Sequence, residues 1–310
     1  MSSIVVMVPA YNSEKSIALS LESCIAQTVC ADVVIVDNCS TDTTRDIVKA
    51  FAEKHPNVTL VVNEKNLGRI GNFNQCLDLF KNSKYEYVQF LFTGDVLKPD
   101  CIEEVQEVFK QHPDLGAVFW PYEFKEGNSI GISRHYEESR YLPPDEINEL
   151  NIIDGGRLGA IVCNVYSKRA IVKSGAYFNE VFIGKADFDY CVLQHHGAFH
   201  LNKVLSTFNV EHHGTFQYAR DNYRVNIEGS FNSACALERS RHDFPIEKYE
   251  KYRSNIIMDI FKKNIHFLKA KELIAIQSIV IAEVYRIFKG CLSFELRRLY
   301  RHVKQIYRRS

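Results

Sequence analysis

The sequence lacks the features that mark several common classes of protein. Its 38 Lys and Arg residues are balanced by 38 Asp and Glu residues, so no excess of positive charge marks a general nucleic-acid binder. None of the nine cysteines belongs to a Cys-x-x-Cys pair, which disfavours a zinc site or a disulfide framework and favours a reducing compartment. No run reaches the roughly 18 apolar residues of a membrane span, and the amino terminus lacks the basic start of a secretory signal. We therefore expect a cytoplasmic globular protein that binds no nucleic acid.

A glycine-rich motif is also missing where one class of enzyme would carry it. The strand predicted at Ile4–Val8 is followed by Pro9, Ala10, Tyr11 and Asn12, not by Gly-x-Gly-x-x-Gly. Those glycines let the pyrophosphate of a dinucleotide approach the first helix of a Rossmann enzyme. The sequence therefore disfavours a dinucleotide-binding dehydrogenase.

What the sequence does contain is an alternation of β-branched runs and helical patterns. Strands are predicted at Ile4–Val8, Val33–Val36, Val58–Val62, Tyr87–Phe92 and Gly116–Trp120. Helices are predicted at Glu14–Gln27, Thr43–Lys54, Gly71–Lys81 and Ile102–Gln111. Continuous apolar strands joined by helical crossovers indicate an α/β fold, with a mostly parallel sheet covered on both faces. We expect loops with short helices over 121–160 and long amphipathic helices from residue 250 onwards.

Carboxylates follow two of the predicted strands. Asp37 stands directly at the end of the second strand, and Asp95 follows the apolar run Phe90–Phe92 and the glycine Gly94. Ligands of open α/β sheets bind at the carboxyl ends of strands, and oxygen-rich pockets suit a divalent cation and a nucleotide. We predict that Asp37 and Asp95 lie at neighbouring strand tips. The alternative for Gly94 and Asp95 is an ordinary surface turn.

Two further groups of candidate residues lie later in the chain. Asp187 and Asp189 flank a phenylalanine, and a helix N-cap is the structural alternative to a functional role. His212 and His213 offer two adjacent imidazoles, for which surface or core positions are the commoner interpretation. The residues alone leave both alternatives open.

Taken together, these stretches resemble the family 2 glycosyltransferases, which are inverting enzymes with a GT-A fold. Five ordered segments between residues 3 and 215 carry the resemblance. They are VPAYN at 8–12, VDNCSTDTT at 36–44, NEKNLGRIGNFNQCL at 63–77, FLFTGDVLKPD at 90–100 and GAYFNEVFIGKADFDYCVLQ at 175–194. The resemblance implies a Rossmann-like GT-A domain over 1–220 and a C-terminal helical extension over 221–310. The QxxRW motif of processive synthases is missing, so a non-processive enzyme is implied.

The resemblance also implies a role for each candidate residue at the donor. Asp95 stands where the family has the last residue of Asp-x-Asp and would bind Mn²⁺ or Mg²⁺. His213, with His212 as the second choice, would reach the diphosphate or the metal. Asp37 would recognise the nucleotide base, and Arg69 would contact the diphosphate. The remaining residues implied in nucleotide-sugar binding are Pro9, Ala10, Tyr11, Asn12 and Gly94.

The general base implied by the resemblance is Asp187, which would deprotonate the acceptor hydroxyl. Two departures from the family pattern accompany these roles, because Thr93 replaces the first Asp of Asp-x-Asp and Ala186 replaces the Glu of Glu-Asp. They make a catalytically impaired nucleotide-sugar binding module one alternative. A sugar-nucleotide pyrophosphorylase is the other, and it is disfavoured because PAYNSEKS at 9–16 is not a glycine-rich basic loop.

The implied reaction is transfer of a sugar, from a UDP-sugar first of all, to a glycan or lipid-linked glycan acceptor, as in bacterial surface polysaccharide synthesis. The tail at 284–310 adds a second hypothesis, since it holds eight Lys or Arg and one Glu, with leucine, valine and isoleucine residues at helical spacing. It is expected either to pack on the catalytic domain or on a second subunit of a homo-oligomer, or to lie on the anionic inner membrane face as a peripheral anchor.

Overall fold

The structure is a computed structural model, and it describes residues 2–133, 136–154, 158–178, 184–212, 233–234, 236–238, 241 and 244–265. The chain divides into two compact units, Met1–Asn222 and Tyr223–Ser310. His213 and the basic tail at 284–310 lie outside the described residues.

The first unit alternates strands and helices. Within the described residues, strands β1 to β12 are Ile4–Ala10, Asp32–Asp37, Val58–Val62, Tyr87–Phe90, Val96–Leu97, Ala117–Phe119, Glu123–Glu126, Ser129–Ile132, Arg140–Leu142, Asn164–Ser167, Ala198–His200 and Ser206–Asn209. Helices α1 to α7 are Ile17–Ile25, Thr44–Lys54, Gly68–Lys81, Cys101–Gln111, Pro144–Asp154, Lys168–Ser174 and Gly184–Leu193. Short 3₁₀ turns occupy Ile161–Cys163 and Val210–His212.

The main sheet has the predicted α/β organisation. Among the described residues its eight strands lie in the order β3-β2-β1-β4-β10-β6-β11-β9. β1 runs parallel to β2 and β4, and β2 runs parallel to β3. β10 is antiparallel to β4 and β6, and β9 is antiparallel to β11. The prediction of a mostly parallel sheet flanked by helices is therefore confirmed.

The central strand β1 shows why the apolar runs are continuous. Its alternate side chains enter two different hydrophobic cores, because successive residues of a strand point to opposite faces. Ile4, Val6 and Val8 pack on the side of α1 and α4, and Val5 and Met7 pack on the side of α3. A strand covered on both faces is mostly apolar along its whole length, and the helices between the strands supply the two covering layers.

A smaller sheet corrects the expectation for 121–160, where loops and short helices were expected. The order of its strands is β5-β12-β7-β8, and β7 and β8 form an antiparallel hairpin. β7 has the sequence EFKE, and with three charged residues out of four it shows no hydrophobic pattern from which a strand could be predicted. It is a strand because β12 and β8 pair with its two edges, and such tertiary pairing outweighs local propensity. The segment also contains β9 and the helix α5.

The second unit contains helix α8, Ile246–Ile265. The Tyr249 hydroxyl of this helix donates a hydrogen bond to the Glu238 carboxylate. In the part of the chain that the structure describes, no helix has both the length and the apolar content needed to cross a bilayer.

Candidate active site

Asp37 is the last residue of β2 and is fully buried beside the end of β1. Its Oδ2 accepts a hydrogen bond from the Ser40 amide at 3.0 Å and lies 3.9 Å from Nε of Arg45. Its Oδ1 has no hydrogen-bond partner among the described residues. A buried carboxylate oxygen without a donor is costly, so such an atom marks a place where a ligand can supply the donor.

The loops after β1 and β2 are joined beside Asp37. Asn12 has a φ of +46° and Cys39 a φ of +64°, a left-handed conformation that is uncommon for residues other than glycine. The Asn12 amide donates to Ser40 Oγ at 2.9 Å, and its Oδ1 accepts from the Thr41 amide at 2.8 Å. The structure therefore brings the predicted segment from Pro9 to Asn12 against the Asp37 loop.

Asn38 fixes the next loop, and sequence reasoning did not identify it. Its Nδ2 donates to Asn66 Oδ1 at 3.0 Å and to the Gly68 carbonyl at 3.1 Å. Its Oδ1 accepts from Asn63 Nδ2 at 3.2 Å and from the Leu67 amide at 2.8 Å. Each hydrogen-bonding capacity of this buried amide is used. The repeated asparagines of the segment NEKNLGRIGN were the available signal.

Arg69 follows this loop in the first turn of α3. Its side chain is exposed, and its guanidinium lies 5.6 Å from the ring centre of Phe73. The Asn38 network fixes the chain immediately before it. The backbone that leads into Arg69 is thus fixed beside the end of β2.

Asp95 is buried, but it does not lie where the sequence predicted. β4 ends at Phe90, and Asp95 comes after a turn, directly before β5. β1 lies between β2 and β4, so the prediction that Asp37 and Asp95 occupy neighbouring strand tips is wrong. The physical reason is the crossover, which places the fourth strand on the far side of the first. Asp95 instead stands at the junction of the two sheets.

The turn before Asp95 is held from two directions. Ser20 of α1 accepts from the Gly94 amide at 2.8 Å and donates to the Asp95 carbonyl at 2.8 Å. The amide of Asn209, at the end of β12, donates to Asp95 Oδ1 at 3.0 Å. Thr93, which replaces the family's first carboxylate, donates through its hydroxyl to Ser13 Oγ at 3.0 Å. These bonds fix the Asp95 carboxylate before any ligand is bound.

The position directly before Asp95, that of Gly94, requires a glycine. Its φ is +100°, and a Cβ at this position would lie 2.4 Å from the Cβ of His212. The 3₁₀ turn Val210–His212 therefore packs directly on the turn that carries Asp95. Of the two candidate histidines, His212 is the one that the structure describes beside Asp95.

The fit of a metal to this site can be judged from its donor atoms. Among the described residues, no three or more His, Cys, Asp or Glu side chains are grouped so that they could hold a metal ion. A carboxylate with an imidazole nearby still provides part of the coordination sphere of Mg²⁺ or Mn²⁺, and diphosphate oxygens are suited to complete it. The residues present thus fit a cation that is held jointly by the protein and a bound diphosphate, not one that is enclosed by protein ligands alone.

Asp187 lies inside the first turn of α7, whose first residue is Gly184. It is therefore not the N-cap, which was the structural alternative. Asp189 on the same helix is fully buried and accepts a hydrogen bond of 2.6 Å from the hydroxyl of Tyr166. It also forms an ion pair with Lys185, one turn earlier. The spacing of Lys185 and Asp189 was readable in the sequence, but the partner from β10 was not.

The pKa values of two groups, Cys163 and Tyr122, depend on charges in α7 and at Asp95. Burial raises the pKa of the Cys163 thiol to about 12, and charges on Lys185 and Asp189 also influence it. Burial likewise raises the pKa of the Tyr122 hydroxyl, and charges on Cys163 and Asp95 raise it further. Charges in α7 and at Asp95 thus each influence one member of this pair.

The comparisons with known proteins agree on one family. The profile described as "Glycosyl transferase family 2" matches residues 5–174, more than half of the chain. An uncharacterized glycosyltransferase of Nostoc sp. is 31% identical over 143 residues, which cover 46% of this chain and 43% of that protein. The minor teichoic acid biosynthesis protein GgaB of Bacillus subtilis is 23% identical over 265 residues, covering 84% of this chain and 27% of that protein. The chain thus spans less than half the length of either relative.

Solved structures share the fold. S. aureus TarS in complex with UDP-GlcNAc superposes with a TM-score of 0.70 at 20% identity, covering 93% of this chain and 80% of that chain. The mannosyltransferase PcManGT from Pyrobaculum calidifontis, in complex with GDP-Man and Mn²⁺, superposes with a TM-score of 0.53 at 14% identity. In that comparison 94% of this chain and 88% of the other chain are covered.

Proposed function

The chain belongs to glycosyl transferase family 2, and on that premise we propose that it transfers a sugar from a nucleotide-diphosphate sugar to a hydroxyl group. We favour a UDP-sugar as the donor and a glycan or lipid-linked glycan of a surface polysaccharide as the acceptor. The similarity to the minor teichoic acid biosynthesis protein GgaB and to TarS in complex with UDP-GlcNAc supports these two choices. We assign the activity to residues 1–220 and treat 221–310 as a separate helical region.

The observation that carries the proposal is the unpartnered Oδ1 of Asp37. This buried atom accepts no hydrogen bond from the described residues and stands where a nucleotide-binding crevice of an α/β sheet is expected. Uracil, thymine and guanine each carry a ring N–H that can donate to a carboxylate oxygen. We therefore assign Asp37 to the nucleotide base, with the segment Pro9–Asn12 beside it.

Asp95 and one histidine, His213 or His212, would hold Mn²⁺ or Mg²⁺ together with the donor. When bound, the cation neutralises the negative charge that develops on the leaving diphosphate. Arg69, in the first turn of α3, would add a charge-assisted hydrogen bond to the diphosphate. The Mn²⁺ in the structure of the Pyrobaculum calidifontis enzyme supports a divalent cation.

Asp187 is the proposed general base. It would take the proton of the acceptor hydroxyl as that oxygen attacks the anomeric carbon on the face opposite the diphosphate, so that the product has inverted configuration. Its burial in the first turn of α7, with 7% of its surface exposed, suits a carboxylate that works in a partly dehydrated site.

A catalytically impaired binding module is the second candidate, because both family motifs have lost one carboxylate, at Thr93 and at Ala186. One experiment separates the two. UDP-, GDP- and dTDP-sugars are screened for binding and for hydrolysis, each with and without Mn²⁺. We expect metal-dependent hydrolysis of one class, most readily UDP-sugars. Binding without hydrolysis would favour the module, and absence of both would contradict the proposal.

A matched pair of variants tests the role of Asp37 in the same screen. Asp37→Asn places an amide where the base N–H would donate, so we expect nucleotide binding to weaken by about tenfold to a hundredfold. Asp46→Asn, an exposed carboxylate on α2, removes the same charge and should leave binding unchanged. Equal affinities of the two variants would contradict the assignment of Asp37.

A further inference from the structure

Helix α7 carries a second buried carboxylate, Asp189, which the proposed reaction does not use. One of its oxygens accepts a hydrogen bond of 2.6 Å from the Tyr166 hydroxyl, and the other is paired with Lys185 Nζ. The side chain is fully buried, and this burial raises its pKa. A carboxylate removed from water is tolerated when its oxygens are paired. Asp189 is therefore a buried carboxylate whose desolvation cost is offset by its two partners.

The partners of Asp189 come from two different elements. Lys185 is on the same helix, whereas Tyr166 lies in β10, which is paired with β4 in the main sheet. The hydrogen bond to Tyr166 therefore fixes the rotation of α7 about its own axis. Phe188 adds to the anchor, since its ring stacks on Phe178 at 4.3 Å and meets Tyr166 edge to face at 5.2 Å.

We propose that Tyr166, Lys185 and Asp189 are positioning residues that aim Asp187 at the acceptor hydroxyl. This inference rests on the proposed role of Asp187 as general base. Asp187 and Asp189 are separated by about 200° around the helix, so one faces the anchor while the other faces away. A rotation of α7 that the anchor prevents would move Asp187 by the same angle. A displacement of about 1 Å at a reacting group costs up to about a hundredfold in rate.

The first test compares two tyrosines that each donate to a carboxylate. Tyr166→Phe removes the hydroxyl that anchors α7. Tyr85→Phe removes a hydroxyl that donates to Asp32, the first residue of β2, at the opposite end of the strand from Asp37. The probes are UDP-GlcNAc and GDP-mannose with Mn²⁺, and hydrolysis of the faster one is followed. Tyr166→Phe is expected to lower kcat about tenfold to a hundredfold with the KM of the donor unchanged, and Tyr85→Phe to change neither.

Hydrogen exchange provides a readout that needs no turnover. Tyr166→Phe should speed exchange of the amides of α7 at 184–193, and Tyr85→Phe should leave them unchanged. Unchanged exchange in Tyr166→Phe would overturn the anchor. Lys185→Met is expected to speed the exchange of the α7 amides and to lower kcat, as Tyr166→Phe does. Lys185→Arg keeps the positive charge and is expected to have the exchange and the rate of the wild type.

A double variant separates positioning from a structural effect. If Tyr166 acts through Asp187, then Tyr166→Phe causes no further loss of rate in a chain that already carries Asp187→Asn. A further loss as large as in the wild-type background would overturn the positioning role. If Asp187→Asn alone keeps the wild-type rate, the proposed general base is wrong. If Asp187→Asn is slow and Tyr166→Phe is not, only the positioning inference fails.

Discussion

Gly94 offers the sharpest test of the geometry around Asp95. Gly94→Ala places a side chain at a φ of +100°, in a backbone region that costs an L-residue about 1–2 kcal/mol. The new Cβ would lie 2.4 Å from the Cβ of His212, and relieving that overlap costs about 1–3 kcal/mol more. The free energy of unfolding should therefore fall by about 2–5 kcal/mol. That is a large share of the roughly 5–15 kcal/mol of a typical domain.

Urea denaturation measures this loss, and Gly175→Ala is its matched control. Gly175 has a φ of +64°, with no described atom within 4 Å of a Cβ at that position, so its replacement carries the backbone cost alone. The difference between the two variants then reports the overlap with His212. His212→Gly removes the overlapping atom, and combined with Gly94→Ala it should recover part of that difference. Equal urea midpoints for Gly94→Ala and Gly175→Ala would refute the described packing.

The same variant should also lose function. A turn that shifts to accept the new methyl group displaces Asp95, its immediate neighbour, and weakens its bond from Asn209. Mn²⁺-dependent donor binding should then fall in Gly94→Ala and persist in Gly175→Ala, at temperatures where both variants are folded. Normal donor binding in a destabilised Gly94→Ala would separate this turn from the donor site.

Further predictions concern charge. Asp95→Asn should lower metal-dependent hydrolysis by about 10²–10³-fold without unfolding the chain, and near-normal rates with Mn²⁺ present would contradict the metal role. Asp187→Asn should cost about 10²–10⁴ in rate with donor binding spared, whereas equal losses of both would make it structural. If residues 284–310 lie on a membrane, the full chain should co-sediment with anionic vesicles in a salt-sensitive manner, and a chain without residues 284–310 should do so much less. Each basic residue near the surface contributes about 1 kcal/mol to this binding. Equal sedimentation of the two chains would instead indicate that the tail packs on a subunit. A hydrogen bond from Lys203 lowers the pKa of Asp100 in the folded chain. The ionised Asp100 therefore stabilises the folded state at pH values above its unfolded-state pKa of about 3.9, and this stabilisation is lost as the pH falls through its folded-state pKa. The gap in urea midpoint between wild type and Asp100→Asn should accordingly close below about pH 4.

The parts of the fold that were predictable are those decided by local patterns. Strand Val58–Val62 was predicted with the bounds that it has, because an apolar β-branched run between polar segments has one common outcome. Helix Cys101–Gln111 was predicted within one residue. The order of the strands was not predictable in the same way. The error at Asp95 arose because adjacency in the sequence does not determine which side of β1 the fourth strand joins.

The candidate site shows the same division between local and distant information. Asp37 was placed at the end of its strand from the sequence, and it is the last residue of β2. Asn38 could have been suspected from the asparagines downstream, but its network forms only when the loop returns to β2. The contact of His212 with Gly94 and the bond of Tyr166 to Asp189 join elements that are far apart in the chain. No period or spacing in the sequence encodes either contact.

The position of Asp95 between the two sheets has a thermodynamic consequence. The Asp95 turn continues directly into β5, which begins at Val96, and Asn209, which donates to Asp95, ends β12. The turn and the small sheet are therefore bonded to each other. A ligand that binds only the ordered turn stabilises every element that must be folded for the turn to exist, by RT ln(1 + [L]/Kd). Donor and cation together would therefore slow hydrogen exchange in β5 and β12, strands that neither of them has to touch. The small sheet then reports the occupancy of the site from a distance.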